Sequence, residues 1–434
     1  MITPSFTKTQ LDDIDQQIEI NKAVALSKFR LKKVEQRYFM DNLAKQQKII
    51  LLDKVFTPSR PVMTREFFFG RFNEINRIFS AINEEGKHII LYGERGVGKT
   101  SLANFMNTST QFLATKVTCN RYDTFNTIWK RAFEEILMPL TNGEWEIDNV
   151  SSEQVSLLEN LLYDNEEIES SPTVIRILKK VSIPILFIFD EFDLIEDNLT
   201  QIKFADTIKA LSDNLPNITL LIVGIADNVN ELIGNHNSIE RCTTQVKLPT
   251  MPDDELEKII TQGLEKLELT IDSSVKSHIV ELSQGFPHYT HLLTKHSSKN
   301  AIYNNSNLVN KDHFKIAVED AINDSYESVK ESYRKAVATV KKETDFRDII
   351  FACASVETDE YGTFRLADLQ NVLSELKQKP VKPQSYAYYI GKLCEADRGA
   401  ILQRIGVKNK YRYRFQNPLV KVFVLLKNYK PITI

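Results

Sequence analysis

Three runs of this chain, His88–Tyr92, Ile183–Phe189 and Thr219–Gly224, are almost continuously apolar. A strand with one wet face alternates apolar and polar side chains, whereas a strand covered on both faces reads as a short unbroken apolar run. These three are strand-sized and far too short to cross a membrane as helices. They therefore demand a sheet with helices on both sides. Two further strands are expected at Ala114–Cys119 and Thr243–Leu248, and helical spacing marks Arg71–Asn83, Thr100–Asn107, Thr124–Met138 and Phe204–Asn214. Strands alternating with helices in this way predict an α/β fold with a parallel sheet over residues 51–250.

The first apolar run leads into Gly93-Glu94-Arg95-Gly96-Val97-Gly98-Lys99-Thr100-Ser101 and then into a helical stretch, so a complete GxxxxGK[ST] pattern sits between a strand and a helix. That is the P-loop context. Its glycines let backbone N–H groups wrap phosphates, and the helix that follows adds its positive end. Lys99 is then the residue that neutralises β- and γ-phosphate charge, and the Thr100 hydroxyl is a candidate ligand of Mg²⁺.

A P-loop needs an acid on a neighbouring strand to hold the metal, and the second apolar run ends in Asp190-Glu191. Asp190 is expected to orient Mg²⁺ and Glu191 to polarise an attacking water, which separates hydrolysis from mere binding. Asp193 alone reads as an ordinary loop acid. The third run ends in Ala226-Asp227-Asn228, where Asp227, and Asn228 after it, are placed to sense the γ-phosphate by hydrogen bonds. Arg241, just before the last strand, fits either an arginine finger offered to a neighbouring subunit's ATP or a structural ion pair.

The rest of the chain is helical. Residues 1–50 lack Gly and Pro from Thr9 to Gln47 and carry apolar residues at helical spacing, which predicts a helical arm, acidic at first and basic later. After Pro252 come Asp253–Leu267, Asp272–Ser283, His288–Ile302 and then one or two helices over Lys311–Ala338, an all-helical unit over residues 251–340. Residues 341–434 read as three helices, Asp345–Ser355, Leu366–Leu376 and Pro383–Glu395, followed by strands Ala400–Gly406 and Tyr411–Phe415, the order of a winged helix.

In order, Val55-Phe56-Thr57-Pro58, Phe69-Gly70-Arg71, the P-loop, Asp190-Glu191-Phe192-Asp193, Gly224-Ile225-Ala226-Asp227 and Gly285-Phe286-Pro287-His288 resemble the AAA+ ATPases of the origin-recognition initiator branch and the allied STAND signalling ATPases. The resemblance runs from about Val55 to Ile302. It implies that Phe69-Gly70-Arg71 lies near the adenine, that Asp227 is the sensor on the fourth strand, and that the unit after Pro252 is a lid. Initiators usually carry Arg three residues after the lid glycine; here His288 stands in a Gly-x-Pro-His turn closer to STAND proteins, either as a nucleotide contact or as a helix cap. ATP and Mg²⁺ are the implied ligands, and self-association through a shared ATP site is the implied assembly.

The net charge of -3 gives no whole-chain argument for nucleic acid, yet from Leu376 onward thirteen Lys and Arg face two acids, Glu395 and Asp397. Arg404, Lys408, Lys410, Arg412 and Arg414 concentrate in the wing, and Gln384, Ser385, Tyr386, Tyr388, Tyr389 and Lys392 lie on the third helix, where a major groove would be read. Duplex DNA and an effector protein both remain open as partners. No nuclease, protease or deaminase constellation is visible. Four dispersed cysteines and an N-terminus without a signal-like apolar core make the cytoplasm, with no membrane, the default expectation.

Overall fold

The computed structural model describes residues 43–109, 113–141, 167–180, 184–226, 229–233, 237–338, 343–359, 362–407 and 410–429. Most of the predicted N-terminal arm, and Asp227, Asn228 and Lys408, lie outside these. From Ile49 onward the chain forms one unit.

Helix α1 (Leu43–Val55) leads through an extended linker to α2 (Phe72–Ile82), after which strands and helices alternate: β1 (His88–Gly93), α3 (Lys99–Ser109), β2 (Leu113–Thr118), α4 (Phe125–Thr141), α5 (Ser171–Leu178), β3 (Ile185–Asp190), α6 (Asn198–Asn214), β4 (Ile218–Ile225), α7 (Asn230–Ile233) and β5 (Thr243–Lys247). The strands stand in the order β2-β3-β4-β1-β5, all parallel. The three apolar runs are the three central strands, and the two runs with alternating character are the edges. That is the burial argument made visible.

The two faces of the sheet bury different chemistry because successive side chains point to opposite sides. On one face Phe187 and Phe189 meet Trp129, Phe125, Phe133 and Phe204 from α4 and α6 in a cluster of edge-on and stacked rings. On the other, Ile89, Leu91, Leu186, Ile188, Leu221 and Val223 meet aliphatic residues of α2 and α3. Cys119, Cys242 and Cys353 are buried and Cys394 is half-buried, all as free thiols.

The helical unit follows as α8 (Asp253–Lys266), β6 (Thr270–Ile271), α9 (Ser273–Ser283), α10 (Pro287–Tyr303), β7 (Leu308–Val309), α11 (Lys311–Asp324) and α12 (Glu327–Val337). The stretch read as one or two helices breaks at Ser325 and Tyr326. Asn310 begins it with a capping side chain that accepts from the Asp312 and His313 N–H groups.

Residues from 343 give α13 (Glu343–Ser355), β8 (Phe364–Arg365), α14 (Leu369–Lys377), α15 (Gln384–Leu393), β9 (Leu402–Ile405), β10 (Arg412–Phe415) and α16 (Pro418–Asn428). The strands form an antiparallel sheet in the order β8-β10-β9. The sequence reading lacked β8 and α16. Helix α16 matters most, because its apolar face, with Leu419, Val420, Phe423 and Leu426, joins the same buried cluster as helices α8 to α12 and the sheet. The C-terminal elements are thus fused to the core by apolar packing.

Candidate nucleotide-binding site

The loop between β1 and α3 has the backbone a phosphate cradle requires. Gly93, Gly96 and Gly98 take φ values of 153°, 87° and 100°. At Gly93 a Cβ would come within 2.4 Å of the Leu248 carbonyl oxygen, so only glycine lets the loop leave the sheet there. Outside the loop, a Cβ on Gly96 would touch the Leu419 side chain.

The loop borders a cavity of about 490 Å³ running from Arg95, Gly96, Val97, Gly98, Lys99, Thr100 and Ser101 to α10 and the linker. Lys99 lines it with its Nζ folded back, donating to the carbonyls of Gly93 (2.9 Å) and Glu94 (2.7 Å). Burial lowers its pKa to about 8, a shift opposed by the nearby carboxylates of Asp193, Asp190 and Glu94. Phosphate oxygens would be stronger partners than the two carbonyls.

Asp190 ends β3 with little exposure, and its oxygens are divided among three partners. Oδ1 accepts from the Thr100 hydroxyl (3.4 Å) and the Glu191 N–H (3.0 Å), while Oδ2 pairs with Lys116 Nζ (3.3 Å). Thr100 and Asp190, paired in the sequence only by motif, are therefore neighbours. A hydroxyl and a carboxylate are hard oxygen donors of the kind Mg²⁺ takes alongside substrate phosphates and water, so this pair fits the metal. Glu191 follows in the left-handed region (φ 56°), which turns its exposed side chain towards the cavity. Partial burial, then the adjacent Asp190 and Asp193 charges, raise its pKa.

Several assigned residues act differently from the expectation. Arg71 is 2% exposed and its guanidinium donates to the carbonyls of Val97 (3.0 Å) and Pro249 (2.7 Å). It ties the P-loop to the end of β5, and it also lines the cavity. Gly70 lies outside the cavity lining, against Glu255, whose carboxylate accepts the Arg71 N–H. Glu94 offers Lys99 its carbonyl, and its carboxylate also faces Gly362 and Lys421. The Ser101 hydroxyl accepts from the Val62 N–H and so holds the linker. Arg241 pairs with Asp213 (3.0 Å) at the entrance of β5, the end of the strands away from the P-loop, and does not reach this chain's own site. Asp227 falls outside the described residues, directly after β4 and Ala226.

Other residues enter the site that the motifs did not name. Asp193, read as a loop acid, lines the cavity and accepts the Ile225 N–H (2.7 Å), fastening the end of β4. Lys116 on β2 supplies the counter-charge to Asp190. Its signal was a lone lysine in a strand whose partner is 74 residues away. At the lid end stand Pro58, Tyr326, His291 and the assigned His288, whose Nδ1 lies 2.8 Å from the Pro58 carbonyl.

The profile of the family described as Novel STAND NTPase 1 matches residues 62–344, more than half of the chain. The chain belongs to this family. It is thus an AAA+ P-loop ATPase of the origin-recognition and STAND branch, as the motif order indicated. It is also similar to an ORC1-type DNA replication protein 2 of Haloarcula marismortui, 26% identical over 216 residues, which are 45% of this chain and 47% of that protein. The chain thus spans about half the length of that curated relative. Among solved structures it is similar to a Walker-type ATPase of Pyrococcus abyssi (TM-score 0.48, 16% identity, 86% of this chain and 99% of that one). Another is the ORC1 protein of Aeropyrum pernix in complex with DNA (TM-score 0.44, 15% identity, 86% and 95%). No described helix is long and apolar enough to cross a membrane.

Proposed function

We propose that this STAND-family ATPase is an ATP-binding and ATP-hydrolysing switch whose nucleotide state is transmitted to its C-terminal winged helix, which grips or releases duplex DNA. One observation carries the reading: the phosphate cradle touches the nucleotide cavity with one face and Leu419 of α16 with the other. A phosphate that reshapes Gly96 meets the C-terminal elements directly.

On this reading the Lys99 ammonium exchanges two carbonyl partners for β- and γ-phosphate oxygens. Thr100 and Asp190 would hold Mg²⁺, which would supply positive charge to the phosphates. Glu191 takes the proton of the attacking water, and its raised pKa brings it nearer the pH of a working general base. Asp193 keeps the end of β4 against the site. Residues 51–250 are the ATPase core, residues 251–340 the lid and residues 341–434 the winged helix. Arg241, 69% exposed at the end of the strands away from the P-loop, is available to the site of a second copy.

Two substitutions test the site. Lys99→Ala should weaken ATP binding by at least about a hundredfold, because the facing charge disappears. Glu191→Gln should bind ATP normally and turn it over about 10² to 10⁴ times more slowly. Calorimetry giving Lys99→Ala normal affinity, or undiminished hydrolysis by Glu191→Gln, would remove the assignment.

A second reading is favoured by the family and by the wing itself. Arg412 hydrogen-bonds Thr363 and pairs with Asp359, and Lys392 pairs with Glu395, so part of the basic surplus is matched within the domain. On that reading the C-terminal elements contact an effector protein, and the switch is a signalling scaffold in the cytoplasm.

A further inference from the structure

Two histidines, one turn apart on α10, line the lid end of the cavity, and the same two linker residues hold them. The Thr57 N–H donates to His291 Nδ1 (3.3 Å). An N–H only donates, so His291 Nδ1 is a bare acceptor and its ring hydrogen is on Nε2. The reverse holds at His288, where the partner of Nδ1 is the Pro58 carbonyl at 2.8 Å. A carbonyl only accepts, so His288 carries its hydrogen on Nδ1 and leaves Nε2 bare. Consecutive linker residues therefore fix opposite tautomers in two neighbouring rings.

Burial keeps both rings neutral, lowering the His291 pKa to about 4 and that of His288 in the same direction. Ring orientation is also held. His288 stacks on Tyr326 with centroids 5.5 Å apart, and His291 meets the edge of Phe56 at 5.8 Å. With each Nδ1 committed to the linker, the nitrogen left for a ligand is an acceptor on His288 and a donor on His291.

We propose that His288 and His291 read the Watson–Crick edge of adenine, His288 Nε2 accepting from the exocyclic amino group and His291 Nε2–H donating to N1. The inference rests on the ATP reading above and adds the base specificity of that site. Guanine and hypoxanthine present the inverse pattern, an O6 acceptor beside an N1–H donor. Each would set acceptor against acceptor and donor against donor in a buried site, where unmatched polar groups are heavily penalised. Both histidines are specificity-determining residues; neither takes part in phosphate chemistry.

The test is calorimetric titration of the full chain with four nucleotides: ATP, inosine triphosphate, purine riboside triphosphate, which lacks the 6-amino group, and 1-deaza-ATP, which lacks N1. Inosine triphosphate should bind at least about a hundredfold more weakly than ATP, and each single deletion should weaken binding about tenfold. In His288→Ala the penalty for losing the 6-amino group should vanish while that for losing N1 remains; His291→Leu, which removes the ring N–H donor and keeps apolar bulk in the buried position, should relax the second penalty. These analogues probe the unmodified protein, so a variant that folds poorly does not remove the test. Equal affinity for ATP and inosine triphosphate would overturn this inference and leave the ATPase reading standing. Failure of all four to bind would overturn the ATPase reading, and this inference with it.

Discussion

At the scale of single residues, the site depends on groups whose partners decide their role. Arg71 belongs to a motif associated with the adenine, yet its guanidinium is buried against two backbone carbonyls. Its removal would leave those carbonyls without their charged donor inside the protein. Arg71→Ala is therefore expected to lower stability by roughly 2–4 kcal/mol, measured as the urea midpoint without nucleotide. A variant as stable as the parent, but weaker only in ATP binding, would return Arg71 to the nucleotide contacts. The buried histidines give a second expectation. His88 and His291 have pKa values lowered by burial to about 4, against 6.5 in the unfolded chain. Between these values the unfolded state binds protons that the folded state refuses, so stability is full above about pH 6.5 and falls as pH drops towards 4. The loss is on the order of 3 kcal/mol from each ring. Denaturant midpoints across this range should decline with acid, and in His88→Gln the decline should be shallower.

Among the elements, the decisive contact is between the P-loop and α16. Leu419 is 4% exposed, its side chain stands 3.2 Å from where a Cβ on Gly96 would be, and its carbonyl accepts the Tyr289 hydroxyl (3.0 Å), so one residue bridges P-loop, α10 and α16. Leu419→Ala should destabilise the protein by roughly 2–4 kcal/mol and lower ATP affinity severalfold, although Leu419 touches no nucleotide. Unchanged ATP affinity would mean that the two sides of the loop are uncoupled. The elements themselves were legible in unequal measure. The three central strands announced themselves as unbroken apolar runs, and the P-loop and Asp190 by motif. Strand β8 has two residues and no period to detect, whereas α16 has local signals, an Asn-Pro start and a run of apolar residues from Leu419. The parts of the site that motifs missed share one cause. Lys116, Asp193 and His291 acquire their roles from partners between 32 and 234 residues away, and no local pattern encodes such pairs.

For the whole molecule, the open question is what the C-terminal elements grip, and the folded chain changes the arithmetic of charge. Counting along the sequence set thirteen cations against two acids after Leu376, but folding brings Asp359 to Arg412 and ties Lys392 to Glu395 within that region. On α15, Tyr386 and Ile390 are core, whereas Gln384, Ser385 and Tyr388 are exposed, Tyr388 at 66%. Exposed cations of this region include Lys382, Arg404 and Lys410, with Arg404 lying over the Tyr411 ring. If the domain grips a duplex, replacing these three by Ser should weaken binding to all sequences alike. The slope of log affinity against log salt should shrink by about three units, from roughly 0.9 counterions released for each phosphate contact. Arg412→Ser should act differently, lowering stability with a smaller change in slope, because its charge is engaged by Asp359. ATP hydrolysis without DNA should stay unchanged in the triple variant, since none of the three lines the nucleotide cavity. A triple variant that binds duplex with the parent's affinity and salt slope would shift the output of this switch from nucleic acid to a protein partner.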